Sequence, residues 1–274
     1  MRKIVRNSGQ AIAHARDPAT RHALRFAVRT VHRSDRSALP GASLRCPCCF
    51  GTSFEQSPAL WKELIEAWEL TPEEERYIDR QQGLRCVECG SKMRSMALAH
   101  AVMEQLGLSL PFSALALRHP LLRILEVNRA GELTPFMCAF PRHILAEYPA
   151  VDVQNLPFPA DRFDVVLHSD TLEHVDDPGR ALAECLRVTR PDGFVAFTVP
   201  LIYGRLTRSR SGLPSSFHGY EGSAQPDLRV ETEFGADLWA QVLASGARSC
   251  TFSALEFPAG LAIVARPIRY RSRR

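Results

Sequence analysis

"RFDVVLHSDTLEHVDDPGRALAECLRVTRPDGFVAFTVP", residues 162–200, is the stretch that decides the fold. It begins with an apolar run typical of a buried strand. Asp177 and Pro178 then open a segment that predicts a helix to about Thr189, and a second apolar run follows Gly193. A strand, a helix and a second strand in this order predict two parallel strands joined by a crossover helix. The stretch therefore indicates an α/β sheet with helices on both faces.

The segments on either side extend this pattern. Upstream, "LRILEV" (122–127) and "HILAEYP" (143–149) predict two more strands. Downstream, "ARSCTFSAL" (247–255) and "GLAIVARP" (260–267) are apolar runs separated by a Phe-Pro-Ala turn, which predicts an antiparallel hairpin at one sheet edge. Ligands of open α/β sheets bind outside the carboxyl ends of the strands, so we expect the functional site there.

Residues 152–200 resemble the central block of class I S-adenosylmethionine-dependent methyltransferases of the methyltransferase type 11-like group. The shared pieces, in order, are an Asp-x-x-x-Leu-Pro-Phe loop, a Phe-Asp strand, a Leu-Glu-His-Val helix start and an Arg-Val-x-Arg-Pro-x-Gly turn. The resemblance covers about residues 121–267. It implies a Rossmann-like class I methyltransferase sheet and an enzyme that uses S-adenosylmethionine as methyl donor.

One departure from the family concerns the third strand. Only four residues separate Glu147 from Asp152, where the family has a helix and a strand. We therefore expect a sheet trimmed at the third strand, with that strand absent or vestigial.

The resemblance assigns the turn after "LRILEV" to the methionine end of the cofactor. Glu126 ends the strand and would help to hold the amino group through water or the turn backbone. The usual Gly-x-Gly-x-Gly is replaced by Asn128, Ala130 and Glu132, and Gly131 is the one glycine. Asn enters the left-handed region more readily than other non-glycine residues, and Ala permits close backbone approach, so the turn keeps its expected role.

Further cofactor contacts are implied at the ends of the next strands. Glu147 would accept hydrogen bonds from both ribose hydroxyls, and its alternative is an ordinary surface carboxylate at a strand end. Asp152 would accept the adenine amino group, and the backbone of Val153 would meet the ring edge. His168 and Ser169 would face the sulfonium region.

Four of the eight cysteines form the pattern C-x2-C-x36-C-x2-C: Cys46, Cys49, Cys86 and Cys89. Two such pairs predict a tetrahedral zinc site, and a closed four-cysteine site is structural because it leaves no open position for substrate. The alternatives are reduced core cysteines or a redox pair, and Cys48 is a further candidate ligand in place of Cys46 or Cys49. The cysteine pairs also resemble a bacterial group of methyltransferases with a zinc-binding module before the catalytic domain.

Helical segments surround the second cysteine pair. "SPALWKELIEAWEL" (57–70) and "TPEEERYIDRQQG" (71–83) predict a helical hairpin, and "SMALAHAVMEQLG" (95–107) predicts an amphipathic helix. The resulting domain prediction is a basic helical N-terminal arm (1–43), a zinc-binding module with its connecting helix (44–117) and a methyltransferase domain (118–274).

The N-terminal arm is rich in positive charge, because residues 1–45 hold ten basic residues against two acidic ones. A solvated helical leader is the favoured interpretation. Alternatively, the arm contacts nucleic acid or an anionic membrane surface, or it is an organelle transit peptide.

The bulk composition favours a globular protein. A chain of 274 residues with 45% hydrophobic content can bury a full core beside a small module. No apolar run approaches eighteen residues and no signal peptide is evident, so we expect a cytoplasmic bacterial protein without a transmembrane segment. The oligomeric state is left open.

The segment 201–235 is the candidate acceptor lid, because a long Gly-, Ser- and Pro-rich loop in a compact domain is usually a binding loop. His218 is the leading candidate for the base, with Glu233 or His168 as alternates, and an ordinary loop histidine is the competing interpretation of His218. Three arginines would grip an acidic acceptor or keep the loop soluble: Arg205, Arg208 and Arg210.

Three functions remain open. The first is methyl transfer, as an O-methylation, to a small-molecule or saccharide acceptor in bacterial secondary metabolism or glycan assembly. The second is RNA methylation with the zinc module and basic arm for docking. "HSDT" stands at residues 168–171, where base-modifying enzymes place an aromatic-plus-acid tetrapeptide, and this disfavours the second function. The third is a non-catalytic binding protein on the same fold.

Overall fold

The computed structural model describes residues 44–217 and 225–268. The predicted basic arm (1–43) and His218 lie outside these residues. The helices are α1 (Lys62–Ala67), α2 (Pro72–Gly83), α3 (Met93–Gln105), α4 (Leu115–Arg118), α5 (Thr134–Met137), α6 (Pro178–Val188) and α7 (Leu238–Ala244). The strands are β1 (Phe54–Gln56), β2 (Leu84–Cys86), β3 (Ile124–Val127), β4 (His143–Ala146), β5 (Phe163–Ser169), β6 (Thr189–Thr198), β7 (Leu201–Ile202), β8 (Arg208–Ser209), β9 (Thr232–Gly235), β10 (Ala247–Glu256) and β11 (Gly260–Pro267).

The main sheet has six strands in the order β10-β11-β6-β5-β3-β4. Strands β4, β3, β5 and β6 are parallel, and β11 pairs antiparallel with both β6 and β10. The predicted α/β Rossmann-like sheet and its edge hairpin are therefore confirmed.

The third strand is absent, as expected from the short spacing. Between Ala146 and Phe163, all of which the structure describes, the chain forms only a 3-10 turn at Val153–Asn155 and no strand. Strand β4 consequently ends the sheet on this side.

The helical hairpin of the cysteine module is present, but its first helix begins later than predicted. The carboxylate of Asp79 accepts the backbone N–H groups of Ala59 and Leu60 at 2.6 and 3.1 Å, which holds this segment in a loop, and α1 starts at Lys62. Helix α2 follows its capping signal, because the Thr71 hydroxyl accepts from the backbone of Glu74 and the Glu74 carboxylate accepts from Thr71.

Apolar side chains cover both faces of the sheet. Helices α6 and α7 bury Leu182, Leu186 and Val242 against one face. Helix α3 packs on the other face, and its side chains share one continuous core with the buried cysteines. The cysteine module and the sheet are therefore joined by packing, and the predicted boundary after residue 117 stays a prediction.

The described parts of the segment 201–235, residues 201–217 and 225–235, contain regular structure, which differs from the expected structureless lid. They contribute β7, β9 and β8 to a small three-stranded sheet in that order. Trp68 of the cysteine module donates from Nε1 to Ser216 Oγ at 2.9 Å, which ties this segment to the module. No helix within residues 44–217 and 225–268 has the length and apolar character needed to cross a membrane.

Candidate active site and cysteine cluster

The turn after β3 is organised by Glu126, which is fully buried. Its Oε1 accepts the backbone N–H of Ala130 at 2.8 Å and the hydroxyl of Thr134 at 2.5 Å. Its Oε2 lies 2.8 Å from Nε2 of His143 on the neighbouring strand β4. The carboxylate therefore fixes the backbone of the turn. This agrees with the expectation that Glu126 helps to hold the cofactor's amino group through the turn backbone.

The residues that replace the usual glycines adopt the required conformations. Asn128 has φ +54° and Gly131 has φ +57°, both in the left-handed region. A Cβ atom at Gly131 would lie 2.8 Å from the Ser95 hydroxyl oxygen, so the site requires glycine on two grounds. Ala130 is fully buried between them. The turn is thus closely packed against the start of α3.

Two further acidic residues lie beside this turn. Glu147 directly follows β4, and its half-exposed carboxylate accepts from Arg129 Nε at 2.8 Å. Asp152 caps the 3-10 turn that begins at Val153 by accepting the backbone N–H of Gln154 at 2.8 Å. Because β3 and β4 are parallel neighbours, the structure brings Glu147 to the same edge as the turn after β3. The predicted contacts to ribose and adenine stay predictions.

The end of β5 places its polar side chains among buried groups. His168 stacks on Phe197 with ring centroids 4.9 Å apart, and neither ring nitrogen has a partner among the described residues. Burial lowers the pKa of His168 to about 3, so the ring is a weak base near neutral pH. The hydroxyl oxygens of Ser169 and Thr198 lie 2.8 Å apart and are joined by a hydrogen bond. This environment favours packing over proton abstraction for His168.

Asp170, one residue beyond β5, collects side chains from the cysteine module. Its Oδ2 accepts Arg94 Nη1 at 2.6 Å and Gln82 Nε2 at 3.0 Å, and its Oδ1 accepts the Thr198 hydroxyl at 3.2 Å. Sequence reasoning missed Arg94 and Gln82. The available signal was the position of Arg94, which is the one arginine of helix α3 and lies beside its mostly apolar residues 96–99.

Glu233 is surrounded by cations and nearly fully buried. It forms ion pairs with Arg210 and, at 2.6 Å, with Arg208 Nε. Arg205 donates to the Trp68 carbonyl at 2.8 Å, and Arg208 pairs with Glu69 at 2.8 Å. These arginines therefore anchor the 201–235 segment to the module, a role not foreseen from the sequence. Glu233 holds them together as a structural anion, which leaves it poorly placed as a base.

The four predicted cysteines converge. Their Sγ atoms all lie within 4.8 Å of one another, with Cys46 to Cys89 at 3.7 Å and Cys49 to Cys86 at 3.6 Å. Zn–S bonds of about 2.3 Å in a tetrahedron require S···S separations of about 3.8 Å, so the donor set fits zinc. Cys48 lies outside this group, and its Sγ is 4.0 Å from the Ser95 carbonyl oxygen. The geometry therefore favours the predicted set of Cys46, Cys49, Cys86 and Cys89 over a set in which Cys48 replaces one of them.

Comparisons with known proteins point to one family. Residues 105–197 match the profile of a family described as a methyltransferase domain. A probable S-adenosylmethionine-dependent methyltransferase of Mycolicibacterium smegmatis is 36% identical over 63 residues, 21% of this chain and 24% of that protein. An uncharacterized methyltransferase of Mycolicibacterium gilvum is 33% identical over 110 residues, 38% of this chain and 43% of that protein. The chain thus spans less than half the length of these curated relatives.

Among solved structures, the chain is similar to a 1,6-didemethyltoxoflavin-N1-methyltransferase of Burkholderia thailandensis. The sequence identity is 18% and the TM-score 0.34, over 58% of this chain and 76% of that chain.

Proposed function

The chain belongs to the class I S-adenosylmethionine-dependent methyltransferases, and from this premise we propose that it methylates a hydroxyl oxygen of a small-molecule or saccharide acceptor. One observation carries the cofactor-binding part of the proposal: Glu126, Glu147 and the left-handed turn at Asn128 lie together at the carboxyl ends of the adjacent strands β3 and β4. Open α/β sheets bind their ligands at such strand ends.

The residues present fit the cofactor. The backbone at Gly131 approaches Ser95 too closely to admit a Cβ atom. Glu126 binds the turn backbone through Oε1 and is held by His143 of β4 through Oε2, so the turn backbone is preorganised for a ligand. Glu147 would bind the ribose hydroxyls, Asp152 the adenine amino group and the backbone of Val153 the ring edge. The main chain near His168 and Ser169 would border the sulfonium end.

Bound S-adenosylmethionine supplies a methyl group already activated by its sulfonium. The tasks left to the chain are to align the acceptor and to exclude water. A hydroxyl acceptor must also lose a proton, and His218 is the proposed base. The alternates are less suitable, since Glu233 is held by arginines and the pKa of His168 is lowered to about 3 by burial.

The 201–235 segment supports a small acceptor. Its described parts are fixed to the cysteine module through Arg205 and Trp68, and we propose that they form one wall of a small acceptor site. The buried cysteine cluster supports an architectural module over one that docks RNA. A bacterial cytoplasmic protein of secondary metabolism or glycan assembly is the setting we propose.

Calorimetry with S-adenosylhomocysteine tests cofactor binding. Charge-assisted hydrogen bonds contribute about 1.5–3 kcal/mol, so Glu147→Gln should weaken binding roughly tenfold or more. Glu55→Gln is the matched control, because Glu55 has the same 43% side-chain exposure and also pairs with one arginine. Wild-type protein that binds neither S-adenosylhomocysteine nor S-adenosylmethionine at millimolar concentration would support the non-catalytic alternative and reject the enzyme.

Methyl transfer from radiolabelled S-adenosylmethionine into a cell extract tests the acceptor class. We expect label in the small-molecule or glycan fraction after ribonuclease treatment, and His218→Ala should slow its appearance while cofactor binding is retained. Label that appears in RNA instead would establish the competing function. A full rate in His218→Ala would remove the assignment of the base.

We also propose that the cysteine cluster binds one structural zinc ion. Metal analysis of the purified protein should find one zinc per chain, lost with stability in Cys86→Ser. Cys48→Ser is the control, because Cys48 is equally buried but lies outside the cluster. Zinc loss in Cys48→Ser with retention in Cys86→Ser would refute the ligand set.

A further inference from the structure

Arg94 is the one arginine that helix α3 sends toward the strand ends. Its side chain is only 19% exposed, and its Nη1 donates to Asp170 at 2.6 Å and to Gln82 Oε1 at 2.8 Å. These two acceptors hold one side of the guanidinium in place. Asp170 follows β5 directly, so Arg94 lies above the predicted cofactor edge of the sheet.

The other side of the guanidinium carries a donor that has no acceptor among the described residues. Within the part of the chain that the structure describes, Nε is fully buried without a hydrogen-bond acceptor. A Cβ atom built at Gly131 would lie 3.8 Å from Nε and 4.0 Å from Nη2, so this edge faces the turn after β3. Glu132, the acidic residue next in that turn, is engaged with Ser95 Oγ at 2.7 Å. The Nε and Nη2 donors of the positively charged Arg94 side chain thus point at the turn after β3.

An Nε/Nη2 fork matches the two oxygens of a carboxylate. The methionine end of S-adenosylmethionine carries one carboxylate. The geometry points to Arg94 as the residue that binds this carboxylate through Nε and Nη2, with Asp170 and Gln82 as positioning residues for the guanidinium. This inference rests on the proposed function and extends it.

The assignment gives the cysteine module a direct part in cofactor binding. Arg94 lies on α3 and Gln82 on α2, whereas all residues that the family resemblance assigns to the cofactor lie after residue 121. The module therefore supplies one wall of the cofactor site.

Binding of S-adenosylmethionine and of its decarboxylated form, which lacks only the carboxylate, separates this role from a structural one. Wild-type protein should prefer S-adenosylmethionine, and Arg94→Met should lose that preference roughly tenfold or more while its affinity for the decarboxylated form changes little. Arg80→Met is the matched control, because Arg80 of α2 also forms an ion pair between the cysteine module and the sheet, with Glu256 of β10. This variant should keep the full preference for S-adenosylmethionine.

Arg94→Lys provides a variant that keeps the charge beside the buried Asp170 and therefore tests the fork if Arg94→Met does not fold. It should show a smaller preference than the wild type. A wild-type preference retained in Arg94→Met, or undiminished in Arg94→Lys, overturns the inference. Failure of the wild type to bind either compound rejects the proposed function instead, so the two failures are distinguishable.

Discussion

Replacing His168 should change how stability depends on pH. Burial lowers the pKa of this imidazole from 6.5 to about 3, against a smaller opposing effect of the nearby Asp170 carboxylate. The unfolded chain therefore takes up a proton at His168 below pH 6.5, whereas the folded chain does so only near pH 3. Stability is fully present above pH 6.5 and falls as the pH is lowered, because the unfolded state then binds more protons.

The magnitude follows from the difference between the two pKa values. At about 1.36 kcal/mol per unit, the gap of 1.5 units between pH 6.5 and pH 5 destabilises the fold by about 2 kcal/mol at pH 5. The full gap of about 3.5 units corresponds to about 5 kcal/mol below pH 3. His168→Phe removes the titrating group and leaves an aromatic ring to pack on Phe197.

Urea unfolding at pH 7.5 and pH 5 measures the effect. The wild type should lose about 2 kcal/mol more than His168→Phe between the two pH values. Any cost of the larger ring is the same at both pH values and cancels in this difference. Val166→Leu, a volume change on the same buried strand without a titrating group, should lose as much as the wild type. Equal losses in the wild type and His168→Phe would refute a neutral, unpaired His168.

Three further predictions follow from single contacts. Thr71→Ala removes the side-chain half of the capping box of α2 and should lower the free energy of unfolding by about 1 kcal/mol in urea titrations, whereas an unchanged value would mean that the cap is replaced by water. Gly131→Ala places a Cβ 2.8 Å from Ser95 Oγ at a left-handed position; it should destabilise the fold by about 1–2 kcal/mol and weaken S-adenosylhomocysteine binding in calorimetry, and wild-type affinity would contradict the assigned turn. Glu233→Gln leaves the buried Arg210 without its counter-charge and should cost about 3 kcal/mol or more by thermal and urea unfolding, while an exposed-site cost below about 1 kcal/mol would show that solvent reaches the cluster.

The structural features that local sequence patterns indicate were predicted well. The strand β5, helix α6 and strand β6 follow from apolar runs and a helix-opening Asp-Pro pair within residues 162–200. The missing third strand follows from simple arithmetic, since the residues between Glu147 and Asp152 are too few for a helix and a strand. The convergence of the cysteines follows from their paired spacing.

Features that depend on distant contacts were not predictable in the same way. The late start of α1 depends on Asp79, about twenty residues further along the chain, which binds the backbone at Ala59 and Leu60. The ion pair of Arg94 with Asp170 joins two parts of the chain that no local pattern relates. Charged residues in a loop look alike whether solvated or buried, so the anchoring role of Glu233 could be read only from its neighbours.

The common core of the cysteine module and the sheet changes what counts as a separable unit in this protein. Two segments that differ in composition and in family resemblance meet through α3, which packs on one face of the sheet against β5, β6, β10 and β11. A recombination event that exchanged residues 44–117 for a foreign module would strip that face of its cover and expose an apolar surface. Inheritance should therefore preserve the two segments as a pair, with substitutions on α3 matched by substitutions in the strands beneath it.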